Sequence, residues 1–367
     1  MREPGPPAQA TKDKLDLSGG LPLSPPASPQ NRLKQGVQTF LKVGFVAGLL
    51  YFLWKKGFIS PAALQRAFGE WQLVIPAALI IVLNNCLGAV RWQWLLRAQK
   101  IRLSHWAVFQ LHIIGLFFNV ALPGAVSGDF VKAYYIGKVA PGVRGRAMGS
   151  ILFDRVAGLS ALMILAAVSL GIGYSDFEKT SLIAGIGTFL LMVSLGFAAF
   201  YLYLFLVSEK NDPVLAFLQR LQGKVKIAES LSRIYLGLRF YHNSKLTVLK
   251  SLLLTLLIHT LTGVACLQFS AALGEPGLSL LGVCVVIPLG LLITAIPIAP
   301  GGIGTGNLAF AYLFKLIGSE RGADIYSLLA IFNIGFNLLG GLVYLRFKAH
   351  AHAVEPEYTP VAQNTHP

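Results

Sequence analysis

Charge is what this sequence has least of. Of 367 residues only 13% are Asp, Glu, Lys or Arg, while 54% are apolar, against roughly a quarter charged in an ordinary soluble domain. With a mean hydropathy of +0.63 there is no polar exterior to cover a soluble core, so the chain reads as an integral membrane protein. Acidic residues are the scarcest class, 16 against 31 basic. Spread mostly over loops and tails, they leave little for hydrolytic chemistry, and no HExxH, Ser-His-Asp order or glycosidase-like carboxylate pair stands out. The three cysteines, Cys86, Cys266 and Cys284, sit in apolar stretches without a CxxC pair, which excludes a disulfide framework, a zinc site and redox chemistry. No cofactor or metal is expected. The net charge of +15 would suggest nucleic acid in a soluble protein, but here it reads as cytoplasmic loop charge, with no nucleic-acid partner.

Residues 1–36 contain seven prolines and almost no apolar run. They are expected to form a disordered cytoplasmic tail, and the late first apolar stretch without a small-residue cleavage site argues against a signal peptide. Residues 349–367 read as a second disordered tail. Between them, over 37–348, lie eight apolar stretches: 37–54, 72–90, 106–122, 149–173, 181–207, 246–273, 279–299 and 325–347. Eight simple spans would put the most basic segment, 208–245, outside, against the positive-inside rule. If 106–138 and 279–318 each dip into the membrane and return to the same side, 22 of the 31 basic residues fall inside. The expected fold is therefore all-α: six spanning helices plus two re-entrant helical hairpins, with both termini cytoplasmic.

Each dip turns at a Pro/Gly cluster, Leu122-Pro123-Gly124 and Pro297 to Gly304. Proline ends a helix, and irregular backbone at membrane depth survives only in protein or beside a cavity. At an offset of 177 residues Pro123-Gly124 falls on Pro300-Gly301, Tyr135 on Tyr312 and Lys138 on Lys315. Opposed broken elements of this kind are the pattern of inverted-repeat transporters, with a site near the midplane.

Ser127-Gly128-Asp129 looks like a helix start, with Lys132 one turn on. It is either a helix cap or a half-helix whose amides and Lys132 meet an anionic headgroup. The turn Pro300, Gly301, Gly302, Gly304, Asn307 permits either an anion nest or tight packing through small residues. Asp154 and Arg155 are adjacent on a helix and cannot pair well with each other, so each needs a partner among Lys132, Arg91 and Asp129. His112, His259 and the asparagines Asn84, Asn85, Asn333 and Asn337 read as interhelical hydrogen-bond formers. Asp212-Pro213 opens a segment, 208–245, compatible with an amphipathic helix or helix pair attracted to anionic inner-leaflet lipid, or with solvated extensions of the flanking helices.

At these motifs the chain resembles the transmembrane-domain family of lysylphosphatidylglycerol synthase, a flippase-like group, over roughly 37–348. The carrying residues are Leu122-Pro123-Gly124 through Ser127-Gly128-Asp129 and Lys132, Asp154-Arg155-Val156-Ala157-Gly158-Leu159, Pro297 to Gly304, and Arg91-Trp92 with Leu95-Leu96. It departs from the family pattern at Gly306-Asn307, where Arg-Glu is common, at Ser127 for glycine and at Lys132 for arginine. The missing carboxylate speaks against ion or proton coupling through it. No acyltransferase domain follows residue 348, so the resemblance implies the translocating half of such proteins.

The function these readings imply is movement of a phospholipid or lipid-linked carrier across the cytoplasmic membrane by a protein that is not an enzyme. A phosphate-bearing headgroup would be held by Lys132, Arg155 and Arg91, oriented by Asp129 and Asp154. The alternative is an accessory protein of lipid or envelope glycoconjugate synthesis that binds lipid without moving it. A membrane-embedded transferase using Asp129 or Asp154 as base is the third reading.

Overall fold

The computed structural model describes residues 65–66, 69–121, 127–139, 143–208, 211–221, 228–295 and 304–347. Among them are eleven α-helices and no strand. In chain order these are α1 Trp71–Ala98, α2 His105–Ala121, α3 Ser127–Val139, α4 Arg144–Ile172, α5 Ser181–Leu206, α6 Pro213–Leu221, α7 Ala228–Arg239, α8 Lys245–Ala272, α9 Leu280–Thr294, α10 Thr305–Lys315 and α11 Gly322–Arg346. Seven of the eight apolar stretches reappear as helices; the first, 37–54, and both tails lie outside the described residues.

Five helices, α1, α4, α5, α8 and α11, are long and apolar enough to cross a membrane. Their outward faces are what lipid would solvate: Leu246, Leu249, Leu253 and Leu257 form an exposed stripe on α8 at helical spacing. Helices α2 and α9 have 17 and 15 residues. At 1.5 Å per residue they fall short of a ~30 Å hydrocarbon core. They are the leading arms of the two expected dips, and each is followed by a shorter helix, α3 or α10. Local chemistry sets the boundaries: Thr180 accepts from the Ile183 amide at the start of α5, and Ser279 accepts from the Gly282 amide at the start of α9.

The strongest pairing joins α1 to α8. Asn84 bonds Thr262 and Arg91 bonds Thr255, so partners on α8 fall as α1 rises and the two helices run antiparallel. Two further contacts are reciprocal: α2 packs on α11, and α9 packs on α4. At the offset of 177 residues α1 corresponds to α8, α2 to α9, α3 to α10 and α4 to α11. The repeat thus has the same order of long, short, short and long helices in both halves.

The connection between the halves contains α5 and a short helix pair, α6 and α7. Asp212 caps α6, its Oδ1 accepting from the amides of Val214 and Leu215 at 3.0 Å each, with Pro213 at the first helical position. The same carboxylate accepts from Tyr203 and Tyr235 at 2.8 and 2.7 Å and lies 3.0 Å from Arg239 Nε. Arg239 also donates to the carbonyls of Leu204 and Val207, covering the C-terminal end of α5. The segment is thus a helix pair, not an extension of its neighbours. Arg239, one of the basic residues of the segment 208–245, is fully buried, held by Asp212 and by the carbonyls at the end of α5.

Candidate functional site

Five helices bring their polar residues to one place. On α1, Asn84, Gly88 and Arg91 follow each other at spacings of four and three, one face of a helix. On α2, His112, Leu116 and Asn119 do the same; α3 contributes Asp129 and Lys132, α4 contributes Asp154, Arg155 and Gly158, and α8 contributes His259. Together they line a cavity of about 340 Å³. A water's share of liquid is about 30 Å³, so the space suits a headgroup rather than a single water. Leu116, Leu159, Leu162, Ile258 and Leu291 complete the wall with apolar surface.

The charges are paired and mostly buried. Arg91 forms a two-pronged contact with Asp154, Nε to Oδ1 at 2.8 Å and Nη2 to Oδ2 at 3.1 Å, and its Nη1 donates to Thr255 Oγ1 at 2.8 Å. Arg155 Nε donates to Asp129 Oδ2 at 2.8 Å, and Lys132 Nζ lies 3.8 Å from Asp129 Oδ1. The Lys132 ammonium also sits 4.9 Å above the Trp92 ring, an attraction to the negative face of the indole. The side chains of Asp129 and Lys132 are 8% and 6% exposed, whereas Arg155 is 43% exposed and stands at the mouth. Among the described residues that line the cavity, three basic side chains face two carboxylates. Ions at membrane depth are costly unless paired or in use.

The adjacent residues Asp154 and Arg155 thus find partners on different helices, Arg91 and Asp129, as helix geometry requires. Gly128 has another task. Its amide donates to Asn119 Oδ1 at 2.8 Å, and a Cβ there would lie 1.8 Å from the Gly115 carbonyl oxygen. The residue lets α3 lie against α2, and its amide is not available to an anion. Gly304 and Asn307 do not line the cavity. Gly304 has φ +86°, a left-handed conformation suited to glycine. Asn307 accepts from the Gly304 amide and donates to Ala323 O and Ser327 Oγ, tying α10 to α11. Pro123, Gly124, Pro300, Gly301 and Gly302 lie outside the described residues.

Sequence reasoning treats Asn84, His112 and His259 as interhelical hydrogen-bond formers, has Trp92 only within the Arg91-Trp92 motif, and does not single out Asn119. The available signal was their spacing: Asn84 to Arg91 and His112 to Asn119 are both seven apart, two turns of one helix face. Among the described residues no cluster of His, Cys, Asp or Glu could hold a metal ion, and the three cysteines are unpaired.

Residues 39–340 match the family described as the lysylphosphatidylglycerol synthase TM region. A UPF0104 membrane protein of Pyrococcus horikoshii is 24% identical over 318 residues, covering 81% of this chain and 93% of its own. A UPF0104 membrane protein of Methanothermobacter thermautotrophicus is 25% identical over 258 residues, covering 66% and 74%. No solved structure matches the chain significantly.

Proposed function

We propose, for a chain that belongs to the lysylphosphatidylglycerol synthase TM-region family, that it moves a phospholipid or lipid-linked carrier across the cytoplasmic membrane. The observation that carries this reading is that, among the described residues lining the cavity, three basic side chains, Arg91, Lys132 and Arg155, face two carboxylates. A phosphodiester supplies a third negative charge. Arg155 at the mouth meets the phosphate first, and Lys132, held by Asp129 and Trp92, receives it deeper. The acyl chains stay in the bilayer beside the apolar wall.

The antiparallel pairing of repeat-related α1 and α8 and the reciprocal contacts of α2 and α9 support an inverted repeat. Two short helical hairpins, α2 with α3 and α9 with α10, then dip from opposite faces while the long helices span, and both termini are cytoplasmic. Alternating access is rocking of one half against the other around the cavity. No covalent step is proposed: the carboxylates of Asp129 and Asp154 already accept from arginines, which suits orientation rather than base catalysis.

The test is transbilayer movement of a fluorescent phospholipid in proteoliposomes containing the full chain. Lys132→Ala and Arg155→Ala are expected to slow movement at least tenfold; unchanged rates overturn the assignment. Charge reversal at Arg220 and Arg233 separates it from a non-transporting accessory role, since it should leave movement nearly intact and abolish capture of a partner enzyme.

A further inference from the structure

The helix pair between the halves carries apolar surface that the described residues leave uncovered. Helix α6 is two-sided. Val214, Phe217 and Leu221 follow at spacings of three and four and share one face with Leu218, while Gln219 points away from it and Arg220 flanks it. Among the described residues, the nine of α6 include none that is buried, and the Phe217 ring is 61% exposed. A short two-sided helix with its apolar face open is the form that lies in a membrane interface.

The level of α6 is fixed by its neighbours. Tyr203, in the last turn of α5, donates to Asp212 at the start of α6, and Arg239 at the end of α7 donates to the carbonyls of Leu204 and Val207. Lys245, the first residue of α8, has its ammonium 5.9 Å from the centre of the Phe205 ring. Helix α6 thus begins where α5 ends and α8 starts, two helices long and apolar enough to cross a membrane. At those ends Leu202, Leu206, Leu246 and Leu249 are exposed, so the open face of α6 continues a surface that lipid would solvate.

Charge selects the kind of lipid. Apart from the buried Asp212–Arg239 pair, segment 208–245 carries six basic residues and two acidic ones. One of those acids, Glu229, is already paired with Arg233. The positive-inside rule puts such a segment on the cytoplasmic side, where the leaflet surface is negative.

We infer that α6 is an interfacial helix: Val214 and Phe217 enter the acyl boundary of the cytoplasmic leaflet, and Arg220 and Arg233 meet anionic phospholipid there. None of these residues lines the polar cavity, so the inference does not rest on lipid movement.

The test places the photo-reactive p-benzoylphenylalanine at Phe217 of the full chain, in nanodiscs of phosphatidylcholine with a minority of phosphatidylglycerol, and reads the adducts by mass spectrometry. Phospholipid adducts are expected, with phosphatidylglycerol enriched about fivefold over its share of the bilayer, the factor that one basic residue near an anionic surface supplies. The same group at Gln219 should give almost none. Arg220→Glu with Arg233→Glu should bring the enrichment to one while lipid adducts persist. The melting temperature should match that of the unaltered protein; a clear fall would put residue 217 inside the protein and overturn the inference. Adducts to another polypeptide mean a docked protein or a second copy, and equally low yields at 217 and 219 mean water; either overturns it. Lipid adducts without enrichment in the otherwise unaltered chain overturn the anionic assignment.

Discussion

Trp92 and Phe269 stand 177 residues apart at corresponding points of the two halves, yet Trp92 carries the Lys132 ammonium on its face while Phe269 stacks on Phe332 with centroids 5.6 Å apart. The same contrast runs through the repeat. Asp129 corresponds to Gly306, Lys132 to Ala309, His112 to Leu289, Asp154 to Ile331 and Arg155 to Phe332. In the first half these positions surround a cavity; in the second they are filled by rings, with Phe310 and Tyr326 at 4.7 Å. Gly290 and Gly306 make room for them, since a Cβ would come within 2.3 Å of Phe310 and 2.2 Å of Tyr326 respectively. One layout can therefore be stabilised in two ways: by a packed aromatic interior, or by ion pairs that leave space. Only the second leaves room for a ligand.

The comparison can be broken from either side. Arg91→Ala should have the largest effect, because it strands the Asp154 carboxylate; breaking a buried pair costs about 3–5 kcal/mol, read as a fall in Tm of the purified protein. Adding Asp154→Ala should recover much of it. Phe310→Ala should cost a similar or smaller amount, about 3–5 kcal/mol for a buried ring, while leaving the charged cavity able to bind lipid. Equal loss of lipid binding would mean that the halves are not separable. Gly158→Leu sharpens the contrast from the other direction. No atom lies within 4 Å of a Cβ placed there, so a side chain should fill the cavity and abolish lipid binding while changing stability by less than about 1 kcal/mol.

The connector between the halves responds to acid. Burial alone would raise the Asp212 carboxyl, but hydrogen bonds from Tyr235, the Leu215 amide and Tyr203, with the Arg239 charge, hold it below the usual carboxylate value. A depressed carboxyl contributes stability that is complete above the unfolded value of about 3.9 and is lost as pH falls through the folded one. Thermal melts from pH 6 downward should therefore lose stability below about pH 4. Tyr235→Phe should cost about 1–3 kcal/mol at neutral pH and flatten that acid dependence. The smallest effect is expected at Glu229→Gln. It removes an exposed i,i+4 pair with Arg233, worth about 0.3–0.5 kcal/mol.

Much of the helical layout was legible in the sequence because apolar runs and breakers are local signals. The stretches 181–207 and 246–273 reappear as α5 and α8 within a residue or so of their ends. The requirement that Asp154 and Arg155 find separate partners followed from the 100° between neighbours on a helix. The second Pro/Gly turn was harder to read. Glycines that admit an aromatic ring and glycines that expose amides look alike until the ring is located, and Gly306 and Asn307 belong to the packing. That Asn84 and His259 line the cavity was not legible for a related reason: a polar residue on a membrane helix is usually satisfied by a neighbour, and only the tertiary structure places it on a wall.

Hydropathy and the scarcity of charge by themselves determined a helical, multi-pass membrane protein, because these depend on residue type along the chain, whereas the 177-residue offset needed the placement of the basic residues beside it to suggest a doubled plan. That the charged positions of the first half line a cavity, that Arg239 is buried, and that Gly128 is a packing residue were decided only by tertiary structure. They depend on distances between residues far apart in sequence, such as Arg91 and Thr255, which composition and spacing do not contain.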